Sequence, residues 1–473
     1  MNMKLNKIKI VYWLKNNYLF FLLGFLIVIS SIPNIINEFF KYQSLSFNIS
    51  DLYFKGPAFI IFSIVTFLSI ARQKLLNSKL FLFLLTIFVV FSVYSLVMPN
   101  HIITKSPSYA DRPDLFIITE IDINVTLLNL FNILTLCIFA SFFLIALPNS
   151  KVKKRNILHF TYFIFAYSLF SIIYAFVVQG KEYIVFLSSP SGTGLSKFTS
   201  FFGNKNSFGS VMLISFLLSM YWYNETKNFK FLFISFIYMV FSFMTFSKTS
   251  AFISVIIMSI VYINFCRRII ISRHRSFDLL IIIVPIVLLT SLLFLMYIEP
   301  FSNFSVFKFL ANIFNKFLGF DGSISSNGLF TGREDFWYFS FKLFLSPQHF
   351  LLGYTPAAID NIVFESAINI YGTKSLMSTY GTVFISYGLI GIIVFLLLIC
   401  YIFKIILLKK KKEKTLINTL VFMSYLVYSF FESMVIFDSA IICMIWSFTC
   451  ILPILKVNEI NRYLDINYKR VHI

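Results

Sequence analysis

The chain has 473 residues, of which 58% are hydrophobic and only 13% charged. A soluble domain carries about 25% charged residues, so this chain has too little polar surface to coat itself in water. Its net charge is +20, but the basic residues fall in alternate gaps between apolar runs, which argues for a membrane topology signal and against nucleic acid.

Twelve apolar runs follow one another along the chain: 18–36, 57–71, 80–98, 126–147, 157–178, 208–223, 231–247, 250–266, 279–298, 380–403, 416–436 and 439–455. Crossing a hydrocarbon core takes about 20 residues of helix, and most of these runs approach or exceed that. The run at 279–298 holds no charge at all. The first is longer than a signal core and reads as a retained span. The expected fold is therefore all-α: a polytopic integral membrane protein of about twelve transmembrane helices in a single transmembrane domain, 1–473. The five cysteines lie in or at the ends of apolar runs, without metal or redox spacing. They read as small apolar packing groups.

Charge sets the threading. With the N-terminus inside, 27 of the 40 Lys and Arg residues fall in inward segments, against 5 of the 20 acidic residues. Basic residues collect on the cytoplasmic side, so both termini are expected there. Inward loops are short and leave no room for a nucleotide-binding domain. Outward, 99–125 and 179–207 are medium loops. The excursion at 299–379, between the ninth and tenth spans, is far longer. Loops of that length are often functional, and this one is expected to contain short helices and carry the chemistry.

Within it, Thr331-Gly332-Arg333-Glu334-Asp335-Phe336-Trp337 stands out. Thr331 and Glu334 have capping-box spacing, which predicts a helix start. Arg333 then sits in the first turn, where free N–H groups and the helix dipole suit phosphate or pyrophosphate. An ion pair to Glu334, Asp335 or a neighbouring loop would use the same residue structurally. His349, Asp360 and Glu365 lie further along the loop and could serve as a general base. The sequence does not rank them.

Two further motifs sit at outward ends of spans. Ser247-Lys248-Thr249-Ser250 joins two apolar runs with almost no loop. Lys248 is there either as a snorkelling anchor or as an anion contact. Phe202-Gly203-Asn204-Lys205-Asn206 has the composition of a turn and helix cap. Just before it, Gly192-Thr193-Gly194-Leu195-Ser196-Lys197 lacks the Gly directly before Lys that a phosphate loop needs, and it faces away from cellular ATP. Glu432 and Asp438 flank the last outward turn, as functional groups or as solvated ends. No metal-ligand cluster is apparent and no cofactor is implied, so a metal-independent mechanism is expected.

These motifs, in order and spacing across roughly residues 200–400, resemble the O-antigen polymerases and ligases of bacterial envelopes. Phe202-Gly203-Asn204-Lys205-Asn206 is similar to that family's Gly…Asn helix start. Ser247-Lys248-Thr249 is similar to its Ser-Arg or Ser-Lys hairpin. Arg333, Trp337 and Leu352-Gly353-Tyr354 resemble its Gly-Arg…Trp…Gly-Tyr loop. Ser378-Thr379-Tyr380, then Tyr387-Gly388-Leu389-Ile390-Gly391, resembles the segment leading into the next span. The ligases carry His-Asn ahead of that span, and here Met377 and Ser378 stand nearby, which points to a polymerase. Lys248 stands where the family often has Arg, keeping the charge without the bidentate fork.

The resemblance implies a glycosyltransferase that joins undecaprenyl-pyrophosphate-linked oligosaccharide units. Arg333, Lys248 and Lys205 would steady the departing pyrophosphate, with Asn206, Trp337, Tyr354 and Tyr380 around the substrate. Partners would be membrane lipid and a protein that sets chain length. A flippase is the reading from another class, and it fits less well. The spans show no internal repeat and almost no charge at mid-depth, both of which transporters tend to have.

Overall fold

The computed structural model describes residues 2–42, 51–97, 115–119, 125–150, 153–188, 198–271, 341, 350–354, 362–366, 378–408, 412–432, 434, 435, 438, 440–453 and 455. Its helices in chain order are α1 (Asn2–Tyr42), α2 (Asp51–Arg72), α3 (Lys79–Val97), α4 (Val125–Ser141), α5 (Leu147–Asn149), α6 (Lys154–Ser188), α7 (Lys205–Thr226), α8 (Phe229–Met244), α9 (Lys248–Ile271), α10 (Thr379–Leu408), α11 (Lys412–Phe431) and α12 (Ile441–Ile451). A helix lies over each expected span except 279–298, which is outside the described residues. α6 runs ten residues past its expected end.

Among the described residues, six stretches are long and apolar enough to cross a membrane: Tyr18–Lys41, Lys55–Arg72, Lys79–Leu96, Asn129–Asn149, Lys154–Ile184 and Thr379–Leu407. Four shorter apolar helices accompany them, at Phe229–Met244, Lys248–Ile263, Leu416–Phe431 and Ile441–Ile451. Their outer faces carry exposed Phe, Leu, Ile and Val, such as Ile60, Leu68, Val177 and Phe233. Such surface is costly in water and ordinary against lipid tails.

The helical fold carries one element that the apolar runs do not announce. β1 (Leu115–Thr119) pairs antiparallel with β2 (Ile362–Ser366), with Phe116 opposite Glu365. This ribbon joins the 99–125 loop to the long loop at 299–379, which was expected to hold helices. Both strands are rich in β-branched and aromatic residues, the types that favour a pleated backbone.

The chain forms two compact units. The first comprises Met1–Asn37, Phe47–Tyr167 and Gly332–Ile473; the second comprises Glu38–Ser46 and Ser168–Thr331. In the first unit, lipid tails are as apolar as the side chains, so shape-matched packing holds the helices together. Phe62 stacks on Phe139 and packs at a tilt against Phe142, with ring centroids 4.7 Å away in each case. Each such pair contributes about 0.5–1.5 kcal/mol. Between α4 and α5 the helix widens into a π turn, Phe142–Ala146, whose five residues are all buried. The Gln73 amide donates to the Ala146 carbonyl at 3.1 Å, and the Ser31 and Tyr167 hydroxyls lie 2.9 Å apart.

The second unit is built around α7, in which every residue from Phe208 to Met220 is buried. A helix enclosed on all sides needs no amphipathic stripe. Its small residues let neighbours approach closely: the Ser215 hydroxyl lies 2.6 Å from that of Ser168 on α6, and Gly209 faces the turn between α8 and α9.

Candidate functional site

In the second unit, the turn that starts α7 is held by a buried amide. Gln179, on α6, accepts from the backbone N–H groups of Thr199 and Ser200, each at 2.9 Å. Its Nε2 donates to the Ser200 carbonyl at 3.0 Å and to the Thr199 hydroxyl at 3.3 Å. Both lone-pair directions and both N–H groups are thereby used. The Ser200 hydroxyl donates to the Ser171 carbonyl at 2.7 Å. These bonds hold Ser200 at φ 55, a left-handed geometry that a non-glycine residue seldom adopts. A 3-10 turn over Ser200–Phe202 follows. Gly203 then reverses the chain at φ 65, and Asn204 caps α7 by accepting from the Asn206 N–H at 2.8 Å. The Gly-Asn pattern thus forms the turn and cap expected of it. Lys205 and Asn206, both half-buried, occupy the first turn of α7.

The second motif folds as a tight hairpin. α8 ends at Met244, and its carbonyl accepts from the Tyr183 hydroxyl at 2.8 Å. Phe246 takes φ 52, and α9 begins at Lys248. Ser247, Thr249 and Ser250 are buried, while Lys248 is half-buried. Ser247 Oγ and Ser250 Oγ lie 3.0 Å apart. Among the described residues, no ion pair or hydrogen bond engages the Lys248 side chain.

Gly209 brings the two motifs together. A β-carbon built on it would stand 2.5 Å from Ser247 Cβ, 2.8 Å from Ser250 Oγ and 2.9 Å from Thr245 Oγ1. The first turns of α7 therefore pack backbone-close against the start of α9. Segments some forty residues apart in sequence gather at one end of one unit, with Lys205 and Lys248 on them.

In the first unit, two other motifs meet. α10 is a broken helix: Gly388 has φ 60 and ψ −156. The segment Phe350–Tyr354 docks on the break. The Tyr354 N–H donates to the Ile385 carbonyl at 2.6 Å, Leu389 N–H to Phe350 O at 2.9 Å, and Ile390 N–H to Leu351 O at 3.1 Å. A helix interrupted within an apolar span needs such partners for its freed backbone groups. The Tyr94 hydroxyl donates to the Gly353 carbonyl at 2.7 Å. Leu352-Gly353-Tyr354 and Tyr387-Gly388-Leu389 are thus two sides of one backbone contact. The start of α10 is tied as well. The Thr379 hydroxyl donates to Glu432 O at 3.0 Å and accepts from Met434 N–H at 2.8 Å.

The remaining expected residues are distributed as follows. Tyr354 is half-buried at the break. The hydroxyl of Tyr380 donates to the Leu426 carbonyl at 3.3 Å, and its ring packs on Phe395 and Phe430. This gives Tyr380 a packing role between α10 and α11. Glu365 lies on β2, and only its backbone position is described. Arg333, Trp337, His349 and Asp360 lie outside the described residues. Glu432 is buried beside Thr379, and Asp438 is half-buried. Sequence reasoning missed Gln179, Glu38 and Tyr94, and it named Thr379 only as part of a motif. Gln179 had a signal, being an amide directly at the end of the apolar run 157–178. Tyr94 had none.

These apolar helices and the broken α10 define a helical, multi-span membrane protein. No protein-family model matches the chain, and a search of curated proteins finds no match.

Proposed function

We propose that the chain is a polysaccharide polymerase of the cytoplasmic membrane. In this reading it crosses the bilayer twelve times with both termini inside. It joins undecaprenyl-pyrophosphate-linked oligosaccharide units on the outer face, for O-antigen or capsule. The observation that carries the reading is the meeting of the Gly203–Asn206 and Ser247–Ser250 turns through Gly209. It sets two half-buried cations in one unit, and cations are what a departing pyrophosphate requires. The Gly353–Gly388 contact adds support, because it ties the far part of the long loop to a broken helix, a feature that lines binding cavities in membrane proteins. Arg333 lies outside the described residues, and the sequence resemblance gives it a similar charge-stabilising task.

Deleting the gene and running surface polysaccharide on a gel tests this. One-unit products support the polymerase. Carrier-bound long chains would indicate a ligase instead, and loss of exported units a flippase. Complementation with Arg333→Ala is expected to leave single repeat units and no long chains; normal long chains from that variant would sink the assignment. The threading has its own test. A cysteine in place of Asp360 is expected to react with a membrane-impermeant thiol reagent from outside, in cells whose outer membrane alone is opened. Labelling only after inner-membrane lysis would overturn the orientation.

A further inference from the structure

Glu38 lies near the end of α1 and belongs to the same compact unit as the two cation-bearing turns. A β-carbon built on Gly203 would stand 2.9 Å from Glu38 Oε1 and 3.5 Å from its Cδ. The glycine therefore leaves space for this carboxylate directly before Asn204 and Lys205. The Glu38 side chain is 17% exposed, enclosed enough to hold an orientation and open enough to meet a ligand.

Among the described residues, structural duties do not account for that placement. Its ion-pair partner is Lys41, one helical turn along, at 3.5 Å and itself 72% exposed. Exposed pairs of this kind contribute little to stability, and this one would form without Gly203. The α7 cap is supplied by Asn204, so the carboxylate is not needed there either. What remains is a partly enclosed acceptor group in the unit that carries Lys205 and Lys248.

We propose that Glu38 is the general base that activates the acceptor sugar. This rests on the polymerase reading above. The acceptor hydroxyl gives its proton to a Glu38 carboxylate oxygen, and its oxygen bonds to the anomeric carbon of the donor chain. The bond from that carbon to the pyrophosphate oxygen breaks, and its electron pair leaves with undecaprenyl pyrophosphate. Atoms and charge balance without a metal or a co-reactant.

The deletion strain is complemented with wild type, Glu38→Gln and Lys41→Ala. Wild type and Lys41→Ala are expected to restore the ladder of long chains. Glu38→Gln is expected to leave one-unit products while reaching wild-type amounts in the membrane. With the strain's own lipid-linked repeat unit and purified protein in detergent, kcat for Glu38→Gln falls roughly 10²–10⁴-fold, with KM unchanged. A structural lesion would not give that split. Glu38→Asp and Glu38→Asn have the same shape and differ in the ability to take a proton, so the first retains measurable transfer and the second has none. Equal transfer by that pair overturns the proposal, even where Glu38→Gln fails to accumulate. A wild-type ladder from Glu38→Gln also overturns it and leaves the polymerase reading intact. Normal long chains in the deletion strain itself overturn the polymerase reading.

Discussion

Gly388→Ala is expected to cost on the order of 3–6 kcal/mol of stability in detergent, read as a lowered unfolding midpoint. Two effects contribute. The first is conformational: at φ 60 and ψ −156 the backbone occupies a region that is almost exclusively glycine's, and strain there costs about 1–3 kcal/mol. The second is steric. The new methyl would meet Gly353 N at 2.5 Å, Leu351 C at 2.6 Å and Leu351 O at 2.7 Å. All three are backbone atoms and cannot rotate aside. Relief requires the Phe350–Tyr354 segment to lift, weakening its three hydrogen bonds to α10, each worth about 0.5–1.5 kcal/mol net. Gly353→Ala strikes the same contact from the other side, since its β-carbon would meet Ile385 O at 2.5 Å and Gly388 N at 2.6 Å. The double variant should therefore lose less than the sum of the two singles. A loss below about 1 kcal/mol for Gly388→Ala would show that the contact does not hold the break.

Gly209→Ala is the second large effect, and its sign rests on competing terms. Replacing a helical glycine by alanine stabilises a helix by about 0.8–1.0 kcal/mol. Here the added methyl would lie 2.5 Å from Ser247 Cβ, against a buried turn. Overpacking costs about 1–3 kcal/mol, so a net loss is expected. Gly209→Leu, which cannot be accommodated by a small shift, should separate α7 from the start of α9 and, on the proposed polymerase reading, abolish long-chain polysaccharide. Ser247→Gly removes the nearest obstructing atom and should recover part of the loss in Gly209→Ala. Unfolding midpoints for the two singles and the double decide it. Additive losses would mean that the helices do not touch at this point.

Helix positions were largely legible in the sequence because the signal is local. A run of apolar residues must form its hydrogen bonds internally in lipid, which leaves helix as the outcome. The turn at Phe202–Asn206 was legible for a similar reason: Gly203 permits the left-handed backbone and Asn204 supplies the cap within two residues. The ribbon was less visible. Leu115–Thr119 and Ile362–Ser366 each have strand character, but a strand forms only with its partner, some 250 residues away. Tyr380 was read as a substrate contact from its motif, and the structure adds a partner that the sequence does not show, the Leu426 carbonyl.

By itself the sequence determined the membrane class and where the apolar helices lie, because burial in lipid constrains each segment independently of the others. Only the tertiary structure decided which motifs face each other. Gly209 against Ser247, Gly353 against Gly388 and Gly203 against Glu38 are all close approaches made at a glycine. A missing side chain has no chemistry that names its partner, so such pairings cannot be read along the chain. They arise when distant backbones pack, and that packing places Lys205, Lys248 and Glu38 in one unit.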